Sequence, residues 1–267
     1  RVLSIEAAEK AWGPNYLRLG ISLYSDFGGE TYFSLLAGHR MTWLNSLGAE
    51  LRTDATLGFN SGVRVEFYQP LTVRNTTFVA PRASWDLNRV DIFQGKDRVA
   101  VFNIEKQAVA LDFGLNMQQY GEARIGVERG RLIPRRDTGP ALIDPADVTF
   151  DRGAYRAQLL LDRLDNVDFP RQGWAVGAEI YSSSTSLGAD ASYNKWIALG
   201  NTTHSFGENS FRLRAAAGGS FGSDPLPEYE KFPWGGFLRQ SGYNTGQLLN
   251  GEFAFGQVIA CLLYTSR

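Results

Sequence analysis

Cysteine and histidine are nearly missing from this chain. Among its 267 residues Cys261 is the one cysteine, and His39 and His204 are the two histidines. Thiols and imidazoles are too few and too far apart in sequence for a zinc or iron–sulfur site, so no metal and no other cofactor is expected. An internal disulfide framework is excluded because it needs two thiols. A surplus of one charge is missing too. The 27 Lys and Arg stand against 28 Asp and Glu, interspersed throughout, which leaves no basic face for phosphates and makes nucleic acid an unexpected partner. No stretch approaches the eighteen or so consecutive apolar residues that a membrane helix needs, which excludes a helical membrane protein. The start has neither Met nor an apolar leader segment, so the chain is expected to be a piece of a longer exported protein.

Present instead are 13% aromatics, 29 glycines and a strict alternation of apolar and polar residues. From Tyr16 to Tyr24, one parity is Leu17, Leu19, Ile21 and Leu23, and the other is Arg18, Gly20 and Ser22. The pattern recurs between Leu47 and Phe59, where Leu51, Ala55 and Leu57 oppose Glu50, Arg52, Asp54 and Thr56. A period of two is the signature of strands with one apolar and one polar face. Counting such runs predicts about a dozen strands. They lie near Tyr16–Asp26, Thr31–Trp43, Leu47–Phe59, Gly62–Pro70, Phe78–Leu87, Arg98–Gln118, Gly121–Arg131, Thr149–Arg163, Gly173–Ser184, Ala191–His204, Ser210–Gly222 and Gln247–Val258.

Alternation alone fits both a soluble sandwich and a membrane barrel. Run length separates the two, because soluble strands average about five or six residues, whereas a tilted strand needs about ten to cross the hydrocarbon. These runs are of the longer kind. Aromatics near run ends, among them Tyr16, Tyr24, Trp43, Phe59, Tyr68, Phe78, Trp85 and Trp174, are read as an interfacial girdle. Short links such as Leu44–Ser46 and Ser205–Glu208, set against the longer Leu132–Val148 and Ser223–Gly246, suggest periplasmic turns and exterior loops, with the first strand running outward. The polar strand faces carry Arg52, Asp54, Glu66, Asp112, Arg124, Glu128, Arg156, Asp162, Arg212 and Arg214, as a lumen wall would whether or not anything passes along it.

Two segments go beyond periodicity. In Leu161–Gly173, Asp162, Asp165, Asn166, Phe169, Pro170 and Gly173 stand at the spacing Asp-x-x-Asp-Asn-x-x-Phe-Pro-x-x-Gly. The turn chemistry is sound: Asp165 and Asn166 can cap backbone donors, Pro170 fixes φ, and Gly173 permits the reversal. In Trp234–Tyr243 the residues Gly235, Gly236, Arg239, Ser241, Gly242 and Tyr243 form a Gly-rich late loop before the final strand.

These two segments resemble the strand-turn signature and the inward-folding loop of the bacterial surface antigen superfamily, the BamA, TamA and FhaC-like barrels. The resemblance implies that the loop enters the lumen and that an Arg on it reaches acidic groups of the wall. Ser241 stands where that Arg is found, so Arg239 is the substitute candidate and Glu252 its possible partner. Lys10–Gly20 with Ser25-Asp26-Phe27 resembles a narrower branch, the patatin-like phospholipase autotransporters of the PlpD type, at the junction between a POTRA-type module and the barrel. That branch implies residues 1–13 as the end of such a module or a linker, and residues 14–258 as the barrel, about 12 of about 16 strands. Residues 259–267, ending Leu263-Tyr264-Thr265-Ser266-Arg267, are expected to be a non-native tail.

The fold class expected is therefore an all-β, transmembrane, antiparallel up-and-down barrel, truncated, in the bacterial outer membrane. The expected partners are outer-membrane lipid, the protein's own upstream passenger and the barrel-assembly machinery. A patatin site needs a Ser on a Gly-x-Ser-x-Gly elbow with an Asp base. No such elbow is expected here, so any hydrolase is placed outside this chain, with no catalytic residue inside it. The alternatives are a phospholipase embedded in the barrel at His39 or His204, a passive porin, or a soluble sandwich.

Overall fold

A computed structural model describes residues 15–25, 31–140, 148–166, 169–236 and 239–262. Twelve strands form one antiparallel sheet in meander order: β1 (Asn15–Ser25), β2 (Thr31–Met41), β3 (Glu50–Gly58), β4 (Asn60–Pro70), β5 (Thr77–Gln94), β6 (Asp97–Asn116), β7 (Gly121–Thr138), β8 (Phe150–Asp162), β9 (Gln172–Ser183), β10 (Tyr193–Phe206), β11 (Asn209–Ser220) and, last, β14 (Phe253–Leu262). Between β11 and β14 a small hairpin pairs β12 (Phe232–Trp234) with β13 (Leu248–Asn250). Among the described residues β1 and β14 each have one partner strand, β2 and β11 respectively, so each leaves one edge open.

The period-two pattern sorts side chains as the sequence suggests. Leu17, Leu19, Ile21 and Leu23 point outward with 67–77% of their surface exposed, and the outer face continues through Val109, Leu111, Phe113, Ile125, Leu159 and Val176. In water such a face would expose far more contiguous apolar surface than a soluble monomer carries, whereas against lipid it costs nothing. The opposite parity holds the charges. Small residues on that inner face make room for large ones: a Cβ on Gly114 would fall 2.1 Å from the Phe78 ring, and one on Gly126 would fall 2.3 Å from Asp112 Oδ1.

Several boundaries differ from those read in the sequence. β5, β6 and β7 run 18, 20 and 18 residues, well past the apolar band, whose outward parity on β5 ends at Leu87 before Arg89 and Asp91. The residues from Asn88 to Gln94 reach roughly 23 Å further along the strand at about 3.3 Å per residue. Leu132–Thr138, expected to be loop, is therefore strand, because it pairs with the extended end of β6. Nor do loop lengths alternate cleanly. β3 and β4 meet at Phe59 alone, and β5 turns into β6 at Gly95-Lys96, both at the end that carries the longer connections. Tyr68 and Phe78 are not girdle residues but pack on the inner face, 2% and 0% exposed with ring centroids 4.4 Å apart. Strand ends of either parity look alike in sequence, and only register tells which way the ring points. Trp85 and Trp174 do face outward. Ile259–Leu262 continue β14 against β11. Residues 1–14 and 263–267 lie outside the described residues, as does the side chain of Tyr24.

Candidate functional site

Every second residue of β3 to β10 faces the same interior, so acids and bases far apart in sequence meet there. Arg52 bridges Glu50 at 2.8 Å and Glu66 at 3.2 Å. Arg124 grips Glu66 at 2.7 Å and Glu122 at 2.7 Å, with Asp112 at 3.8 Å. Arg82 reaches Asp112 at 3.6 Å and Glu128 at 3.3 Å, and Arg156 joins Glu128 at 3.4 Å to Glu179 at 3.7 Å. The result is a ladder of alternating sign around the inner wall. Glu66, Asp112 and Arg124 are all buried, so each charge depends on its neighbours: removing one partner of such a pair costs roughly 3–5 kcal/mol, although the intact pair adds little net stability. Of the polar-face residues read from the sequence, Arg52, Glu66, Asp112, Arg124, Glu128 and Arg156 are joined in this ladder. Asp54, Asp162, Arg212 and Arg214 share its parity, but among the described residues no ion pair joins them to it.

The connection between β11 and β14 folds back onto this wall. Leu226 is buried against Ala154, Tyr181 and Tyr193, with Phe232 packed beside them. Tyr229 lies on Phe150 with ring centroids 4.7 Å apart, and Phe232 and Trp234 lie on Phe253 at 5.0 and 4.6 Å. Across the interior, Gln247 Nε2 donates to the Gly95 carbonyl at 2.7 Å, tying the loop to the tip of the β5–β6 hairpin. At the centre sits Glu230, 3% exposed, paired with Arg152 at 2.9 Å and with Lys195. Burial alone would raise the Glu230 carboxyl, but Arg152, Lys195 and Lys106 overcome it and hold the group down at about 2. Sequence reasoning missed Glu230, Arg152 and Lys195. The available signal was the aromatic and apolar spacing Leu226, Tyr229, Phe232, Trp234 inside a loop, which a solvated loop has no reason to carry.

Of the loop residues named from the sequence, Gly235 and Gly236 adopt φ of +120° and +97°, and Gly236 donates to the Tyr243 carbonyl at 3.1 Å, closing a tight turn that holds Ser241 and Gly242 at its tip. Arg239 lies over the Trp234 ring, 5.3 Å from its centroid. No ion pair joins Arg239 to Glu252 among the described residues, and Glu252 instead flanks Gly219. Phe237 and Leu238 lie outside the described residues.

The second motif forms the link between β8 and β9. Asp162 accepts from the Leu164 N–H, Asn166 from the Phe169 N–H, and Asp165 from the N–H groups of both Arg171 and Gln172, all at 2.9–3.2 Å. The donors of Gln172 and Arg171 hold the Asp165 carboxyl below its ordinary range. Gly173 has φ +116°, and a Cβ there would lie 2.0 Å from the Arg163 carbonyl, which explains the glycine. Pro170 is buried, and Phe169 is exposed. The neighbouring turn is tied in, with Ser205 Oγ donating to the Arg171 carbonyl at 2.8 Å. Val167 and Asp168 lie outside the described residues.

A family assignment follows from comparison with known proteins. The Omp85 superfamily domain matches residues 44–259. The chain belongs to the Omp85 superfamily. Among solved structures the chain is similar to BamA from Haemophilus ducreyi, crystallised without POTRA domains 1–3. The identity is 12%, the TM-score 0.65, and the match covers 85% of this chain and 45% of that one. The chain thus spans less than half of that relative, and at this identity the likeness speaks for the fold. No curated protein sequence matches significantly. As an Omp85-superfamily barrel the chain belongs to the bacterial outer membrane.

The expectation that no Gly-x-Ser-x-Gly pattern occurs needs correcting, because Gly218-Gly219-Ser220-Phe221-Gly222 has that spacing. It is no nucleophile elbow. Ser220 ends an extended strand without positive φ, it faces Lys195, whose ammonium is engaged by Glu230, and no strand-to-helix turn follows it among the described residues. His39 and His204 share the outward parity of Leu17 and Trp196, and His204 packs edge-on against Phe206 at 4.4 Å, so neither faces the lumen.

Proposed function

We propose that this Omp85 barrel anchors or exports a patatin-like phospholipase encoded upstream of Arg1. In this reading residues 1–13 end a POTRA-type module, residues from 14 onward form the barrel, and about four further strands bridge the open edges of β14 and β1. The end bearing the Asp165–Gly173 turn faces the periplasm. Polypeptide passes or inserts at the barrel while the loop between β11 and β14 occupies its interior, and the working partners are outer-membrane lipid, the passenger and the barrel-assembly machinery. The observation that carries the translocator role is the docked loop itself. Glu230, with Leu226 and Phe232 around it, ties an otherwise mobile kind of element to the inner wall by contacts that can be made and broken as a unit. The narrower passenger assignment is supported by the Lys10–Gly20 resemblance.

Reading the gene through Arg1 and expressing the uninterrupted frame tests this. A patatin-like domain followed by a POTRA-type module, and lipase activity on intact cells that surface proteolysis removes, are expected. An upstream frame encoding neither domain would overturn the passenger assignment while leaving the barrel role intact.

A further inference from the structure

The interior is not charged all the way round. On β8 to β14 the inner parity turns apolar, with Leu160, Ile197, Leu199, Phe253 and Phe255. Between these side chains and Trp234 of the folded-back loop lies a cavity of about 650 Å³. Trp234 forms one wall, stacked on Phe253 at 4.6 Å and set edge-on to Phe255 at 5.2 Å. The lining holds two cations, Arg214 and Arg239, one amide, Asn201, and no carboxylate. This reverses the pattern of the ladder, where each arginine meets acids within 4 Å; Arg214 and Arg239 have no acidic partner among the described residues. Gly177 contributes open space, since a Cβ there would touch only Leu160, at 3.8 Å or more.

An apolar chamber with two unneutralised guanidinium groups and no acid is complementary to an anion carrying a hydrocarbon chain. A peptide fits it poorly, because β8 to β11 are already paired on both sides in the sheet, and away from the open edge of β14 a peptide's own N–H and C=O groups would find little besides Asn201. A single acyl chain has no such groups to satisfy. The geometry points to a long-chain fatty acid as the occupant: its carboxylate lies between Arg214 and Arg239, and its chain runs along Leu160, Ile197, Leu199 and Phe253. This inference rests on the docked position of the loop and does not depend on the identity of any passenger.

The test uses the full chain in nanodiscs of zwitterionic phosphatidylcholine, with 9,10-dibromostearate as a quencher of tryptophan fluorescence. Trp85, Trp174 and Trp196 face lipid and are quenched by bromine dissolved in the bilayer. The site signal is therefore the difference between wild type and Trp234→Phe. That difference is expected to saturate with added dibromostearate, and the midpoint is expected to move at least about tenfold in Arg214→Gln/Arg239→Gln, given the strength of charge-assisted hydrogen bonds. Gly177→Leu fills the chamber while keeping both arginines and is expected to abolish the saturable part. Heat-dependent gel mobility identifies folded variants, and either variant alone suffices to decide. Non-saturable quenching, equal binding of the methyl ester of dibromostearate, or unchanged binding in a folded variant would overturn the site. Tighter binding of a dibrominated lysophosphatidylcholine than of dibromostearate would overturn the fatty-acid assignment.

Discussion

Glu230→Gln isolates what holds the loop against the inner wall. The change keeps side-chain shape and removes one charge, leaving Arg152 and Lys195 facing each other with Glu128, 3.9 Å from Arg152, as the remaining acid. Stripping one partner from a buried ion pair costs roughly 3–5 kcal/mol when the cations cannot rehydrate. Here they can, because the loop can lift, so the loss appears as loop opening and not as unfolding of the sheet. The apolar contacts of Leu226, Phe232 and Trp234 oppose it, each worth about 1.5–3 kcal/mol if fully buried, so the loop remains docked on average but opens more often. A loss of about 3 kcal/mol raises the open population by about two orders of magnitude. Amide hydrogen exchange on the full chain reads this directly: protection in residues 226–234 is expected to fall by that factor while β6 is unchanged. Glu228→Gln is the control, since Glu228 pairs with Lys231 at an exposed position where such pairs are worth little. Acid should imitate the substitution. The Glu230 carboxyl lies at about 2 in the folded protein against an ordinary 4.5, so its stabilisation is complete above about pH 4.5 and drains away as pH falls toward 2. Unchanged protection in Glu230→Gln, or loop protection insensitive to pH between 5 and 3, would refute the latch.

Three other changes probe the wall and its turns. Gly114→Val drives a side chain into Phe78 and is expected to cost about 1–3 kcal/mol or more by overpacking, seen as a lower midpoint in urea unfolding from micelles. Leu111→Arg places a cation in the lipid-facing band and should cost about 2–4 kcal/mol near mid-membrane, whereas the same change at Thr56, of the opposite parity, should cost far less. Gly173→Ala puts a Cβ where the Arg163 carbonyl already stands, and strain of about 1–3 kcal/mol is expected to appear as slower assembly into the heat-modifiable form, with normal assembly counting against the φ argument.

The sequence by itself determined which residues form strands and which face each presents, because both follow from a two-residue period that neighbours along the chain impose. Leu17 to Leu23 could face lipid only if Arg18 and Ser22 faced inward. The Asp165–Gly173 turn was legible for the same reason: its carboxylates cap donors within seven residues of themselves. Contacts across the interior were not legible. Glu230 lies 78 positions from Arg152 and 35 from Lys195, and nothing local in the loop marks it as different from exposed Glu228 two residues before it. Tyr68 and Phe78, read as membrane aromatics, turn inward because the registers of β4 on β5 and of β5 on β6 set the Phe78 ring over Gly114 with the Tyr68 ring beside it. The outer surface was thus written in local alternation, while the inner wall, its charge ladder, its apolar chamber and the loop it holds were decided by which distant strands the register of the sheet brings together.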